Sequence, residues 1–390
     1  MRVLIDYRSA LRARSGVGEY VFQLARALLT EYGAGQSETP LDLTLFSSSW
    51  KDRLVQDDEI AGAAIVDRRV PVRLLNRAWH RLAWPPAEML AGARFDLVHS
   101  PHPLLLPSRS AAQVVTIHDL DFLAHPERAQ AEVRRDYPVL AREHAHRADQ
   151  VIVPSRSTAL DVERRLHVDP NRISVCPHGR PDWTPRAAPP AGGYVLFLGT
   201  LEPRKNIGGL LDAYERLCSA APDAAARYGS NGRAPVRVPE LLLAGMATDS
   251  ARPWLERIGR APLAGVVRYI GYVDPAARRQ LYEGARLLVQ PSFEEGFGLP
   301  VLEAMTAGVP VVAADRGALP EVLGDAGVLV DPEDPDALAA AIYRMLTDEG
   351  AAAASASKGV ARSRDFDWRQ TARGVYAAYQ RAIAHHAHRH

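Results

Sequence analysis

The chain has 390 residues, 47% of them hydrophobic and 24% charged, which is the composition of a folded globular protein and excludes a disordered one. Its formal net charge of +1 lacks the basic excess that is typical of nucleic-acid-binding proteins. Two cysteines, Cys176 and Cys218, exclude a disulfide framework or a cysteine-rich metal site and suit a reducing compartment.

The first residues predict a β-strand and not a signal peptide, and no apolar run approaches the roughly 18–20 residues of a membrane span. Short apolar runs then alternate with stretches of helical periodicity, which indicates a parallel sheet covered on both faces. The predicted strands are Val3–Asp6, Leu43–Ser47, Asp96–Ser100, Val114–His118, Gln150–Pro154 and Ile173–Pro177. The predicted helices are Glu19–Tyr32, Ala131–Ala148 and Ser157–Leu166.

The stretch Arg180–Gly193 is rich in proline and glycine and is predicted to be a linker between two domains. The alternation then starts again, interrupted by a polar insert, Ala220–Pro235, that is expected to form a surface loop. The predicted strands here are Tyr194–Gly199, Glu240–Gly245, Val266–Tyr272, Leu287–Pro291 and Val309–Ala313. The predicted helices are Ile207–Leu217, Ala276–Gly284, Leu299–Ala307 and Asp336–Leu346.

These elements predict an α/β protein with two doubly wound, Rossmann-like domains, residues 1–185 and 186–367. A last helix, about residues 368–384, is expected to pack back on the first domain, and the histidines behind it are expected to form a solvated tail. Open parallel sheets bind ligands at the carboxyl ends of their strands. Two such sheets that face each other would form a cleft, so the chemistry is expected just after the strands.

The most informative motif is Glu294–Gly308, which reads EEGFGLPVLEAMTAG and joins a predicted strand to a predicted helix. The free N–H groups of a helix start, together with the helix dipole, form an anion site. Gly296 and Gly298 allow a ligand to approach the backbone closely. Glu295 on the loop and Glu303 about a turn into the helix can bind two hydroxyl-bearing parts of one ligand, for example a sugar and a ribose.

A second motif, GTLEPRKN, begins at Gly199 and places the adjacent cations Arg204 and Lys205 after another strand. A diphosphate needs such charge, and each charge-assisted hydrogen bond contributes about 1.5–3 kcal/mol. Arginine can bind two phosphate oxygens at once, whereas lysine acts as a point charge. The pair therefore predicts a diphosphate site in the second domain.

Two weaker motifs lie in the first domain. SGVGEY, with Gly16 and Gly18, resembles a shortened dinucleotide fingerprint without its third glycine. TIHD places His118 at a strand end, where it can polarise or orient a ligand hydroxyl, and Asp119 can orient the ring or touch an acceptor. Asp119 and Asp121 have the spacing of a metal motif, but they lie in the other domain from the predicted phosphate site and are not interpreted as one.

With these motifs the chain resembles the retaining glycosyltransferases of family 4, which have the GT-B fold. The resemblance covers nearly the whole chain, from SGVGEY through TIHD, VIVPS and GTLEPRKN to PSFEEGFGLPVLEAMTAGVPVV and GALPEV. It implies transfer of a hexose from a nucleotide diphosphate sugar by a same-face route, in which the leaving phosphate helps to deprotonate the acceptor. No Asp-x-Asp motif is placed to hold a metal ion on the diphosphate, and Arg204, Lys205 and the helix start can take that role, so neither a metal ion nor a cofactor is expected.

The resemblance also implies roles for single residues. Arg204 and Lys205 would stabilise the leaving diphosphate, and Glu295 would hold hydroxyls of the donor sugar. Glu303 would bind the ribose, and His118 would face the donor sugar near the reacting carbon. The remaining donor-site residues are predicted to be Gly16, Gly18, Gly199, Tyr272, Val273, Gly296, Phe297, Gly298 and Leu299, with Gly18 beside the phosphates and the backbone of Tyr272–Val273 near the base.

One further stretch, Arg73–Met89, has arginines at helical spacing between apolar and aromatic residues. A basic aromatic face of this kind can lie on an anionic membrane, where a lipid-linked acceptor is found. The alternative is an ordinary amphipathic helix with its arginines in water. The residues predicted for a peripheral membrane contact are Arg73, Arg77, Trp79, Arg81 and Trp84.

Three alternatives to a transferase remain open from the sequence: a nucleotide-sugar epimerase, a sugar phosphorylase and a binding-only protein with the same fold. No motif marks a lysine for pyridoxal phosphate, as a phosphorylase would need. The donor expected first is GDP-mannose, ahead of a UDP sugar, and the acceptor is expected to be a saccharide or a lipid-linked saccharide of cell-surface polysaccharide synthesis. The expected location is the cytoplasm, at the inner face of the membrane.

Overall fold

The computed structural model describes residues 1–11, 14, 16–55, 58–126, 131–190, 192–219 and 238–389. Ser15 and the predicted surface loop Ala220–Pro235 therefore lie outside the described residues. The chain forms two compact units. Unit 1 consists of Met1–Gly179 with Asp367–His390, and unit 2 of Arg180–Phe366, whereas the sequence predicted the boundary at 185/186.

Within its described residues, unit 1 is built on a parallel sheet of seven strands. Their order is β3-β2-β1-β4-β5-β6-β7, so the direction of winding reverses between β1 and β4. The strands are β1 (Arg2–Asp6), β2 (Asp42–Ser48), β3 (Ala64–Arg68), β4 (Leu97–Ser100), β5 (Ala112–Thr116), β6 (Gln150–Val153) and β7 (Ile173–Val175). The helices are α1 (Val17–Tyr32), α2 (Val72–Leu82), α3 (Ala87–Ala91), α4 (Asp121–Ala124), α5 (Ala131–Arg147) and α6 (Arg156–Leu166).

Unit 2 has a parallel sheet of six strands among the residues described for it, in the order β10-β9-β8-β11-β12-β13. Its winding reverses between β8 and β11. The strands are β8 (Tyr194–Leu198), β9 (Leu241–Ala244), β10 (Val267–Tyr269), β11 (Ala285–Gln290), β12 (Val311–Ala314) and β13 (Val328–Val330). The helices are α7 (Ile207–Ser219), α8 (Arg252–Ile258), α9 (Pro275–Gly284), α10 (Leu299–Ala307), α11 (Leu319–Leu323), α12 (Pro335–Thr347) and α13 (Glu349–Ser363).

The last helix, α14 (Trp368–Arg389), belongs to the core of unit 1. Val375 and Tyr379 are buried in the same apolar cluster as β1 and α1, and the ring of Tyr376 stacks on that of Tyr32 with centroids 3.9 Å apart. The helix ends five residues later than predicted, and its last turns contain His385, His386 and His388, which were expected in a solvated tail. His385 and His386 contact the buried carboxylate of Asp149 at 3.3 and 3.2 Å.

The elements without a counterpart in the sequence prediction include the strands β3 and β13, the short helices α4, α8 and α11, and the longer helix α13. The two strands are short edge strands, which show little of the continuous apolar pattern of central ones. Helix α13 is rich in alanine and serine because it packs closely on α10. A Cβ atom at Gly359 would lie 3.2 Å from the Met305 side chain. Small residues at a close contact give no apolar periodicity to recognise.

The predicted basic aromatic stretch Arg73–Met89 does not form one continuous face. Helix α2 ends at Leu82, Ala83 adopts a left-handed conformation, and α3 begins at Ala87. The prediction that Trp79 contacts a membrane is wrong, because its ring is buried against Phe46 and its indole N–H donates to the Pro85 carbonyl at 2.9 Å. No helix of the described chain is both long and apolar enough to cross a bilayer.

Candidate active site

The reversal point of the unit 2 sheet carries the predicted cations. A short 3-10 turn, Pro203–Lys205, follows β8 and places Arg204 and Lys205 at the carboxyl edge of the sheet. The loop after the neighbouring strand β11 carries Glu295. A backbone hydrogen bond of 2.8 Å from Phe293 to the Arg204 carbonyl joins the two loops. Reversal points of doubly wound sheets are where such folds bind ligands.

Lys205, Glu295 and Arg204 are in direct contact there. The Lys205 ammonium donates to Glu295 Oε1 at 2.5 Å, and both side chains are buried. Arg204 Nη1 lies 3.4 Å from Glu295 Oε2, while its Nε binds Glu202 at 2.6 Å. The structure therefore brings together three of the residues that the sequence predicted for a donor site.

The charge state of Glu295 follows from these contacts. Burial alone would raise the pKa of its carboxyl, but the charges of Lys205 and Arg204 outweigh burial and lower the pKa to about 2. Burial and the neighbouring Arg204 charge also lower the pKa of Lys205, against the attraction of Glu295. Glu295 is therefore an ionised acceptor at neutral pH and not a proton donor.

Two residues that the sequence prediction missed fix the orientation of Glu295. Gln290 Nε2 and Ser292 Oγ donate to Glu295 Oε1 at 2.9 and 2.8 Å, so that this oxygen accepts three hydrogen bonds. The signal for this pair in the sequence is the polar Gln290, which directly follows the apolar residues Leu287, Leu288 and Val289. The structure buries Gln290 fully. Among the described residues, Oε2 has only the long contact to Arg204, which makes it the oxygen best placed to accept from a ligand.

The glycine-containing loop continues into α10. Gly298 precedes the helix with φ +102°, and a Cβ atom there would lie 2.7 Å from the Leu319 side chain, so only glycine fits. No side chain caps the helix, which begins at Leu299 with Pro300 in its first turn. The Phe297 ring is buried against Phe366, so that ligand contact at Phe297, which follows Gly296, would be through the backbone.

Glu303 lies inside α10 and is held by two residues of α9. Arg278 Nη1 binds Glu303 Oε1 at 3.0 Å, and the Tyr282 hydroxyl donates to Oε2 at 2.8 Å. All three side chains are buried. The sequence prediction did not include Arg278 or Tyr282, which lie one helical turn apart on α9 and fix the direction of the carboxylate.

The other predicted residues of unit 2 lie in loops at the same strand ends. Gly199 directly follows β8, and its N–H donates to the Ala244 carbonyl at 2.9 Å. Tyr272 is exposed and Val273 half-buried in the loop between β10 and α9. The sequence analysis predicted the contact with the nucleotide base in this loop.

In unit 1, His118 follows β5 and is held by its surroundings. Its Nε2 donates to the Pro101 carbonyl at 3.2 Å, and its ring meets Tyr20 edge-on with centroids 4.8 Å apart. Burial lowers the pKa of His118 to about 4, so the ring is neutral at physiological pH. Because Nε2 carries the proton, Nδ1 is a hydrogen-bond acceptor.

The two predicted glycines of unit 1 lie at the start of α1, the helix that carries Tyr20. Gly16 precedes this helix with φ +53°, and Gly18 is buried in its first turn. Asp119 Oδ1 accepts a hydrogen bond from the Asp121 N–H at 3.3 Å. Over the described ranges, no three or more His, Cys, Asp or Glu side chains are grouped so that they could hold a metal ion.

A charged network at the reversal point of unit 1 was missed by the sequence prediction. Asp6, at the end of β1, is buried and binds Arg8 Nε and Nη2 at 2.8 and 2.7 Å, and His102 Nε2 at 3.0 Å. Arg8 also donates to Asn76 of α2 at 2.8 Å, and its guanidinium lies 4.6 Å from the Trp79 ring centroid. The sequence signal is a charged pair formed by Asp6, the last residue of the first strand, and Arg8 just behind it.

Two parallel-sheet Rossmann-like units, each with charged loops at the reversal point of its sheet, have the architecture of the GT-B class. Residues 14–181 match the family model "Glycosyltransferase Family 4", and residues 192–348 match "Glycosyl transferases group 1". The chain is 32% identical to O-antigen chain mannosyltransferase B of Escherichia coli, over 94% of this chain and 96% of the relative. The protein thus belongs to glycosyltransferase family 4.

One further relative and two solved structures are also similar to this chain. A D-inositol 3-phosphate glycosyltransferase of Acidothermus cellulolyticus is 30% identical over 95% of this chain and 86% of its own. Among solved structures, sucrose-phosphate synthase of Thermosynechococcus elongatus matches with a TM-score of 0.76 at 21% identity, covering 98% of this chain and 99% of that one. Anabaena HepE in complex with UDP and glucose matches with a TM-score of 0.66 at 18% identity, covering 97% and 98%.

Proposed function

We propose that the protein transfers mannose, with retention of configuration, from GDP-mannose to a saccharide or lipid-linked saccharide in the synthesis of a cell-surface polysaccharide. The observation that carries the proposal is the buried contact of Lys205 and Arg204 with Glu295 at the reversal point of unit 2. Two cations beside the buried, ionised carboxylate of Glu295 at a single strand edge fit a ligand that combines a diphosphate with sugar hydroxyls.

The cations act on the leaving group. The bond between the anomeric carbon and the β-phosphate oxygen breaks, which builds negative charge on the phosphate and positive charge on the sugar. Lys205 and Arg204 stabilise that charge more strongly in the transition state than in the ground state. The acceptor oxygen forms the new bond from the same face, and its proton passes to the departing phosphate. This route needs no side-chain nucleophile.

The carboxylates recognise hydroxyl groups. Glu295 is ionised and fixed through Oε1, so its Oε2 accepts hydrogen bonds from the donor sugar. Glu303, oriented by Arg278 and Tyr282, accepts from the ribose. The exposed loop at Tyr272–Val273 meets the base. In unit 1, Nδ1 of the neutral His118 is an acceptor for a substrate hydroxyl.

Two observations bear on the donor. The relative O-antigen chain mannosyltransferase B, 32% identical over almost the full length of both chains, supports mannose as the sugar. HepE, whose structure holds UDP and glucose, shares only 18% identity and supports a nucleotide sugar in general. GDP-mannose is therefore the first donor to test and UDP-glucose the second. The two free cysteines suit a reaction in the cytoplasm.

The positive charge for the diphosphate comes, in this proposal, from Arg204, Lys205 and the start of α10 and not from a divalent metal ion. We expect turnover to survive an excess of a chelator such as EDTA. Loss of turnover in the chelator, restored by Mg²⁺ or Mn²⁺, would show that a metal ion neutralises the diphosphate.

A donor screen tests the proposal directly. The melting temperature of the protein is measured with GDP-mannose, UDP-glucose and the free nucleotides, since a ligand at 100 times its Kd adds about 2.7 kcal/mol of stability. The donor that stabilises the protein is then supplied with a mannosylated acceptor, and the anomeric configuration of the product is determined by NMR. Release of nucleoside diphosphate with an inverted product contradicts retention, and no release with any donor contradicts a transferase.

A further inference from the structure

Unit 1 contains a set of buried polar side chains that the proposed chemistry does not use. Each is no more than 1% exposed, and they lie on different elements: Tyr20 on α1, His99 on β4, Thr116 at the end of β5 and Tyr379 on α14. His99 Nδ1 lies 2.7 Å from the Tyr379 hydroxyl, and its Nε2 lies 2.8 Å from the Thr116 hydroxyl. The Thr116 hydroxyl lies 3.3 Å from that of Tyr20. We call these side chains the Tyr20 network.

The hydrogen bonds of the Tyr20 network can all be made at the same time. Burial lowers the pKa of His99 to about 3, so its ring is neutral at physiological pH. A neutral imidazole donates from one ring nitrogen and accepts at the other, and the Thr116 hydroxyl can likewise donate and accept. The hydrogen bonds therefore run in one direction through the ring, from Tyr20 to Tyr379 or the reverse.

Tyr20 connects this network to His118. The Tyr20 ring meets the His118 ring edge-on with centroids 4.8 Å apart. It also lies 4.8 Å from the His178 ring and 6.3 Å from the ring of Trp368, the first residue of α14. The Tyr20 ring is thus held by its hydroxyl at one end and by aromatic rings beside it, and one of these rings is that of His118.

Stability alone does not explain why this part of the core is polar. Apolar side chains of the same shape can replace a buried hydrogen-bonded pair at little or no cost in stability. A fully satisfied polar network instead fixes one orientation of its side chains. Such an orientation matters beside a residue that meets a substrate, because a misplacement of about 1 Å can lower turnover roughly 10²-fold.

The last helix supplies two parts of this arrangement. The chain leaves unit 1 after Gly179 and returns to it at Asp367, and α14 follows directly. Trp368, at the start of α14, contributes the ring near Tyr20, and Tyr379, about three turns later, contributes the hydroxyl that binds His99. The return of the chain to unit 1 therefore completes the surroundings of Tyr20.

We propose that Tyr20 is a positioning residue for His118, and that its ring is held in place by the hydrogen bonds through Thr116 and His99 to Tyr379. The His118 ring is thereby kept in the orientation in which Nε2 donates to the Pro101 carbonyl and Nδ1 stays an acceptor. The consequence for turnover rests on the proposed function, in which Nδ1 meets a substrate hydroxyl.

The variant Tyr20→Phe tests the proposal, because it keeps the ring and removes only the hydroxyl. The NMR signals of the His118 ring are followed in the full-length protein with isotope-labelled histidine, and they are assigned from their absence in His118→Asn. We expect narrow signals in the wild type and broadened or doubled signals in Tyr20→Phe. With the donor that the screen identifies, kcat/KM should fall about tenfold, since the ring moves by less than about 1 Å.

A matched control lies on the same helix as Tyr379. Tyr376 is also buried, and its hydroxyl donates to the Thr39 carbonyl at 3.0 Å, outside the Tyr20 network. Tyr376→Phe should leave the His118 signals and kcat/KM unchanged, whereas Tyr379→Phe should broaden the signals and lower kcat/KM about threefold. The double variant Tyr20→Phe/Tyr379→Phe should be no worse than Tyr20→Phe, because both changes act through the same ring.

A pair of variants at Thr116 separates the hydroxyl from the shape of the side chain. Thr116→Val keeps the shape and removes the hydroxyl, so it should resemble Tyr20→Phe in the His118 signals and in kcat/KM. Thr116→Ser keeps the hydroxyl and should resemble the wild type. This pair decides the question even if Tyr20→Phe has a low melting temperature.

Unchanged His118 signals in both Tyr20→Phe and Thr116→Val would overturn the proposal, as would an equal change in Tyr376→Phe. A larger loss in Thr116→Ser than in Thr116→Val would do the same, because packing and not the hydroxyl would then be decisive. The NMR signals need no substrate. Changed signals in a protein that turns over no donor therefore support the positioning of His118 and refute the proposed function alone.

Discussion

The reversal points of the two sheets both hold buried charges, but they use them differently. In unit 1, Asp6 binds Arg8 through two nitrogen atoms, and Arg8 continues to Asn76, so the charges satisfy one another and join a strand end to a helix. In unit 2, Lys205 and Arg204 both contact Glu295, and Arg204 also binds Glu202. Three donors meet at Oε1 of Glu295, which leaves Oε2 with the long contact to Arg204.

This difference shows that similar charged residues, at the reversal point of the same kind of sheet, can form either a structural network or a ligand site. A buried charge that is fully paired with a rigid partner contributes mainly to stability and position. Cations at a strand edge, beside a carboxylate that is fixed through one oxygen, are arranged for a ligand, and for that reason they are expected to affect turnover more than folding. Stability and turnover should therefore respond in opposite ways to substitutions at the two points.

The largest effect on stability is expected at Asp6. Asp6→Ala leaves the buried Arg8 without its carboxylate, and the loss of one partner of a buried ion pair costs about 3–5 kcal/mol. Chemical denaturation followed by circular dichroism measures the loss. The control Asp161→Ala removes an exposed partner of Arg165 and should cost about 0.5 kcal/mol at most. A loss at Asp6 as small as that of the control would show that its network does not stabilise unit 1.

The loss of stability in Asp6→Ala should also depend on pH. Burial alone would raise the pKa of the Asp6 carboxyl, but Arg8 and His102 hold it well below its usual range. A lowered folded-state pKa gives stability that is present above the unfolded value of about 3.9 and is lost as the pH falls toward the folded value. The difference between the wild type and Asp6→Ala should therefore shrink between about pH 5 and pH 2.

The largest effect on turnover is expected at Lys205. Lys205→Ala removes the cation closest to Glu295 and should lower kcat about 10²–10³-fold, the usual cost of removing one group that stabilises developing negative charge. The protein should stay folded, although with a lower free energy of unfolding, because Arg204, Gln290 and Ser292 still bind Glu295. Lys358→Ala, which removes an exposed lysine from unit 2, is the matched control. Unchanged turnover in Lys205→Ala would refute its leaving-group role.

The smallest effect is expected from titration of His118. Burial lowers the pKa of this ring to about 4, so it stays neutral through the range in which the enzyme is assayed. The ratio of kcat/KM between the wild type and His118→Asn should thus be constant from about pH 5.5 to pH 8. A ratio that changes around pH 6.5, or an NMR titration of His118 with a midpoint there, would show that the ring is not held neutral.

The amino-acid sequence predicted the central strands and the long helices close to their observed bounds, because both carry strong local patterns. The strand before Gly199 and the helix that begins at Leu299 are examples. Arg204, Lys205 and Glu295 were also predicted, because each follows a strand, and the carboxyl ends of parallel strands meet at one edge. Where a charged loop directly follows a strand, the local sequence was enough to predict the position of the charged residues.

Contacts between distant segments were decided by the tertiary structure alone. No local pattern shows that Gln290 and Ser292 orient Glu295, or that Arg278 of α9 binds Glu303 of α10. Likewise, helical spacing made Trp79 part of a basic aromatic face, whereas packing against β2 buried it. Helical spacing is the same whichever side of the helix faces the sheet. Only packing against the neighbouring elements determines which side chains are buried and which stay exposed.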